Sequence, residues 1–74
     1  MPKLPRVTAR QIIAALEKAG FSLVRQSGSH KIYRNAAGRR VTVPFHASET
    51  LHPKLLKSIL RDADLSSDAL TILL

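Results

Sequence analysis

Apolar residues recur along the chain at two different periods, and the changes of period divide it into elements. Ile12, Ile13, Leu16 and Ala19 fall at helical spacing. Ahead of them Thr8 and Gln11 have the spacing of a capping box, and Val7 with Ile12 is placed to close a hydrophobic staple over it. Lys18 lies in the last turn, and Gly20 supplies the left-handed position that ends a helix. The pattern predicts a first helix from about residue 9 to about residue 19.

From Phe21 the period shortens. Phe21, Leu23 and Arg25 alternate with polar or β-branched neighbours, which predicts a strand with one buried face, and Gln26 to Ser29 read as a turn. "HKIYRN" resumes the β-pattern, "NAAGRR" reads as a hairpin loop containing Gly38, and "RVTVP" is a third short strand ended by Pro44. After the irregular "FHASETLHP", helical spacing returns at Leu51, Leu55, Leu56, Ile59, Leu60 and Ala63, with Pro53 in the first turn. Asp64 to Ser67 break this helix, and "SSDALTILL" is expected to form a short third one starting at Ser66 or Ser67. The order helix, three strands, helix makes an α+β sandwich, two helices over one face of an antiparallel meander.

Length and composition narrow the class. Residues 1–74 are expected to form a single domain, because separate cores need longer chains. There is no cysteine, no apolar stretch behind the basic N-terminus that reads as a secretory signal, and no run long enough to span a bilayer. The expectation is a soluble cytosolic protein with no membrane partner. Twelve Lys and Arg against five Asp and Glu give a net charge of +7. A small domain so basic is expected to meet a polyanion, because neutralising phosphates releases counterions and raises affinity without any sequence readout. The cations are spread along the chain, which points to a folded basic face and not to a disordered arm. Nucleic acid is the leading partner, and an acidic protein that caps the same surface is the second.

"RQSGSHKIYR" holds the candidate chemistry. His30 follows Gly28 and Ser29 at the start of the second strand, where a ligand backbone can approach closely. An unperturbed imidazole takes or gives a proton near neutral pH, and RNA carries its own nucleophile in the 2′-OH. Arg25, Lys31, Arg34, Arg39 and Arg40 surround His30 in sequence and are placed to offset the charge of a phosphorane. Ser29, Lys54 and Lys57 join them as candidate RNA contacts. On composition alone a lone histidine in a basic strand is more often a surface residue or a phosphate contact than a catalyst, so the choice between a nuclease and a non-catalytic RNA-binding module stays open at this level.

The other two histidines sit apart. His46, after the third strand, is a candidate second acid or base or a substrate contact, against the plainer reading of a loop residue bonded to backbone. His52, before Pro53, reads as the start of the second helix. The spacing of the three histidines, with no cysteine, does not resemble a zinc pattern, so neither a metal nor another cofactor is expected. Tyr33, Phe21 and Phe45 read as core before they read as stacking platforms. Lys54, Lys57 and Arg61 form a basic stripe on the second helix, equally suited to a phosphate backbone or to solvent.

Four segments, taken together, resemble one family. "ALEKAGF", "LVRQSGSHKIY", "GRRVTVPFH" and "LKSILRDADLS" follow the order found in the HicA toxins, the YcfA-like mRNA interferases of prokaryotic toxin-antitoxin pairs. The run G-S-H, then an aromatic three residues on, followed by V-P-x-H, is the most specific part. The resemblance implies a fold similar to the double-stranded-RNA-binding domain, endoribonuclease activity on mRNA and His30 as the catalytic residue. It also implies a HicB-like antitoxin that occludes the site and, in the complex, helps repress the operon's own promoter. The chain departs from the usual pattern at Lys54-Leu55, where members usually carry Gly-Thr, and at Ala63-Asp64, where they usually carry Ala-Gly.

Overall fold

A computed structural model describes residues 5–46 and 50–74. The segment 1–4, with Lys3, and the middle of the "FHASETLHP" connection lie outside the described residues. Helix α1 spans Ala9–Lys18, strands β1, β2 and β3 span Ser22–Ser27, His30–Arg34 and Arg40–Pro44, and helices α2 and α3 span Pro53–Ala63 and Ser67–Leu73. The three strands form one antiparallel sheet in the order β1-β2-β3. This is the α+β order that the sequence predicts, terminal helix included.

Local chemistry accounts for the boundaries. At α1 both halves of the capping box form: the Gln11 N–H donates to the Thr8 hydroxyl at 3.2 Å, and the Gln11 side chain accepts from the Thr8 N–H at 2.8 Å. Val7 and Ile12 are both buried beside it. The helix ends in a Schellman motif, in which the Phe21 N–H donates to the Leu16 carbonyl at 2.9 Å while Gly20 takes the left-handed turn at φ 97°. Helix α2 ends the same way, with the Leu65 N–H on the Leu60 carbonyl at 2.9 Å, but there the left-handed residue is Asp64 at φ 58°. Ser66 caps α3 by accepting from the Ala69 N–H.

The turn between β1 and β2 is tighter than the sequence suggests. Gln26 and Ser27 belong to β1, and only Gly28 and Ser29 connect the strands, with Gly28 supplying the positive φ of 58° that two-residue hairpins favour. Asn35 organises the second hairpin, its side chain accepting from the Arg39 N–H at 2.8 Å.

One layer of core lies between helices and sheet. Ile12, Ala15 and Leu16 of α1, Leu56, Ile59 and Leu60 of α2, Leu70 of α3, and Tyr33, Val41 and Val43 of the sheet are buried together with Phe21. At roughly 0.8 kcal/mol per buried methylene, this cluster is the main source of stability in so small a chain. Helix α2 packs on β3, α1 packs on β3 and α3 alike, and β1 meets mainly β2. That asymmetry overturns one expectation. Strand β1 has no buried face, since all six of its residues are exposed, and Leu23 and Val24 stand 46% and 57% open. The helices do not reach far enough across the sheet to cover it, and a bulge between Leu23 and Arg25 resets its register. Phe21, just before the strand, takes the buried position instead.

Finally, the two segments that lead into the helices are tied together. Thr8 bridges to Thr50, and the Leu51 N–H donates to the Val7 carbonyl at 2.8 Å.

Candidate nucleic-acid interface

The face of the sheet turned away from the helices carries the candidate site. Paired residues in an antiparallel sheet project to the same side, so the register Arg25↔Ile32↔Thr42, Ser27↔His30↔Pro44 and Arg34↔Arg40 puts Arg25, His30, Arg34 and Arg40 on one face. Lys31, Tyr33, Val41 and Val43 project to the other. His30 is exposed at the end of β2, next to the Gly28-Ser29 turn. Ile32, nearly covered by its neighbours, forms a small apolar floor in the middle of this face.

The spacing of the cations is costly by itself. Arg34 and Arg40 stand directly opposite each other, a like-charge pair that weakens a sheet. Among the described residues the only ion pair is that of Arg39 with Asp64, at 3.9 Å between two exposed groups. Arg25, Arg34 and Arg40 therefore hold their charge toward solvent with no carboxylate against them, an arrangement that an anion would relieve.

Hydrogen bonds fix how closely His30 meets the next strand. The Phe45 N–H donates to the Ser29 carbonyl at 2.6 Å, and the Asn35 N–H donates to the Arg39 carbonyl at 3.1 Å. Bonded and non-bonded pairs alternate along an antiparallel ladder, so His30 and Pro44, one step from Ser29 and Phe45, form a non-bonded pair. Pro44 has no N–H to give, and at this position none is required. In such pairs the Cα atoms lie only about 4.5 Å apart, which seats the proline ring beside the imidazole.

Not every predicted contact lies on this face. Lys31 projects to the opposite side, where its ammonium stands 4.1 Å from the centroid of the half-buried Phe45 ring, which Arg10 of α1 also approaches at 6.0 Å. Arg39 is turned to the end of α2, donating to the Asp62 carbonyl at 3.1 Å. Lys54 and Lys57 are exposed on α2, and Ser29 lies in the hairpin turn. Tyr33 is buried among the helices, so it is core and offers no stacking surface. Burial, with the nearby Glu17 carboxylate adding to it, raises its pKa above the usual phenol value.

His46 lies two residues beyond Pro44, and His52 caps α2, its Nδ1 accepting from the Lys54 N–H at 3.1 Å. That bond places the proton of a neutral His52 on Nε2. The two histidines and Pro44 line one half-open pocket together with Thr50, Leu51 and Leu55. Sequence reading placed His46 near the site but passed over His52, because spacing along the chain gives no sign that the start of α2 returns to the end of β3. Among the described residues no three of His, Cys, Asp and Glu gather as a metal would require, and no helix is long and apolar enough to cross a membrane.

No curated protein matches the chain. A family model described as the HicA toxin of bacterial toxin-antitoxin systems matches residues 9–65, which takes in α1, the whole sheet with its exposed histidine, and α2. The chain therefore belongs to the HicA toxin family.

Proposed function

We propose that the protein is the toxin endoribonuclease of a type II toxin-antitoxin pair, cleaving mRNA without a metal ion. Arg25, Arg34 and Arg40 hold the RNA backbone on the open face of the sheet, with Ser29, Lys54 and Lys57 as outlying contacts. Lys31, over the Phe45 ring on the other side of the sheet, and Arg39, turned to the end of α2, stand outside this contact. His30 acts on the 2′-OH as general base or on the leaving oxygen as general acid. The 2′-oxygen bonds to the adjacent phosphorus as the bond to the 5′-oxygen breaks; the 2′-OH gives up its proton and the 5′-oxygen gains one. The products are a 2′,3′-cyclic phosphate and a 5′-hydroxyl. Arg25, two positions along the face from His30, is suited to the charge that develops on the transferring phosphate, and Arg34 and Arg40, at the other end of their strands, to the backbone beyond it.

The observation that supports this reading is the place of His30: exposed, at a strand end, on a face whose other charged groups are all cationic. A cognate antitoxin follows from membership of the family, and we assign it as HicB-like, with an acidic surface over this face. The test is His30→Ala in a cleavage assay run in chelator. Loss of about 10²- to 10⁴-fold in rate is expected, since that is what a general acid or base contributes. A variant that cleaves as fast as the wild type would remove His30 from the reaction and leave a non-catalytic RNA-binding module; cleavage abolished by chelator and restored by a divalent ion would overturn the metal-free step.

A further inference from the structure

We infer that the pocket beside His30 takes the base of a nucleotide next to the scissile phosphate, and that His46 and His52 are its specificity-determining contacts. The inference rests on the ribonuclease reading above and adds to it a place for the base. Three observations lead there.

The first is position. Pro44 is the cross-strand partner of His30 in the closest kind of pair, and it is also part of the pocket wall. A phosphate held at His30 is thus one cross-strand neighbour from the pocket wall.

The second is size. The pocket encloses about 240 Å³, below the roughly 300–1,000 Å³ of sites that swallow a whole small molecule. It suits one heterocycle inserted from the side, with ribose and phosphate left outside on the basic face.

The third is chemistry. Pro44, Leu51 and Leu55 offer apolar surface for the faces of a ring, as base recognition in single strands requires. The polar groups are those a base edge needs: the Thr50 hydroxyl, the exposed His46 imidazole, and the Nε2–H of His52, which the cap bond to Lys54 leaves as a donor. Among the described residues no carboxylate, Lys or Arg lines the pocket. Of the two roles open to His46, this assigns it that of a substrate contact.

Nuclear magnetic resonance titration of the full chain tests this with small probes: the four 2′,3′-cyclic nucleoside monophosphates, and 1-O-methyl-ribose 2,3-cyclic phosphate as the same phosphodiester without a base. The cyclic nucleotides should shift the ring resonances of His30, His46 and His52 together, whereas the base-free cyclic phosphate should shift His30 alone. At least one nucleotide should bind about 5- to 100-fold more tightly than the base-free cyclic phosphate, the range that one stacked base supplies. His46→Ala and His52→Asn should each reduce that advantage. Asn caps a helix well, so if His52 served only as a cap the second substitution would change nothing. Equal affinity for all probes, no binding by any, or an advantage that survives both substitutions overturns the pocket. Nucleotides that bind there while the wild type leaves RNA uncut would sustain the pocket and overturn the ribonuclease.

Discussion

Strand β3 alternates Val41 and Val43, both buried without measurable exposure, with Arg40 and Thr42, both exposed, and so gives each face of the sheet a different task. The covered face carries the buried Tyr33, Val41 and Val43, with Lys31 and its partner Gln26 beside them, and is packed by two helices. The open face is cationic, has a like-charge pair across its strands and, among the described residues, has no helix packed on it. Stability and proposed chemistry thus share a backbone and divide its side chains. The open face gains nothing for the fold from Arg34 facing Arg40, which is the physical reason to look there for a ligand.

Substitutions on alternate residues test the division most strongly. Val43→Ala should lower stability by about 2 kcal/mol, from lost burial and the space left behind, while Thr42→Ala, its neighbour on the open face, should stay within about 0.5 kcal/mol. Chemical denaturation of the two variants makes the comparison, and equal effects would break it. Arg34→Ala and Arg40→Ala should each leave the melting temperature unchanged or slightly raised, because each relieves a repulsion. In RNA binding each should reduce the slope of log affinity against log salt by about one unit.

Tyr33 gives a pH test confined to the covered face. Its pKa is raised in the folded protein, by burial first and by Glu17 second. The stability it contributes is therefore complete below the unfolded value of about 10 and is lost as pH rises from there through the folded value. Denaturation at pH 8 and pH 11 should show a smaller alkaline loss in Tyr33→Phe than in the wild type. The smallest effect belongs to neither face. Asp64→Gly should raise stability by about 0.5 kcal/mol by removing a side chain from the left-handed region, and the 3.9 Å contact with Arg39, lying between exposed groups, has little to offset it.

The sequence carried most of this fold because its signals were local. The capping box at Thr8, the glycine after α1, the proline at the start of α2 and the short hairpins each act within a few residues, and each appears in the structure. What escaped was set by distant contacts. Leu23 alternates as a half-buried strand should, but whether a helix lies over it depends on where α1 and α2 settle, and they settle on β3. The candidate site divides likewise. His30 was legible from its G-S-H setting, and the resemblance implied its role. The diversion of Arg39 to the end of α2, the side taken by Lys31, and the meeting of Pro44 with His52 depend on register and on chain return, which no local pattern records.

The tie between Val7 and Leu51 has a consequence for the order in which the molecule assembles. The meander closes over short spans of chain, so its contacts carry little loop entropy and form early. The bond from Leu51 to Val7 encloses α1 and all three strands, and cannot form on a ribosome until the residues that precede α2 have emerged. The strands that bear His30 and its arginines can thus pair before the tie between the two helix entries is in place.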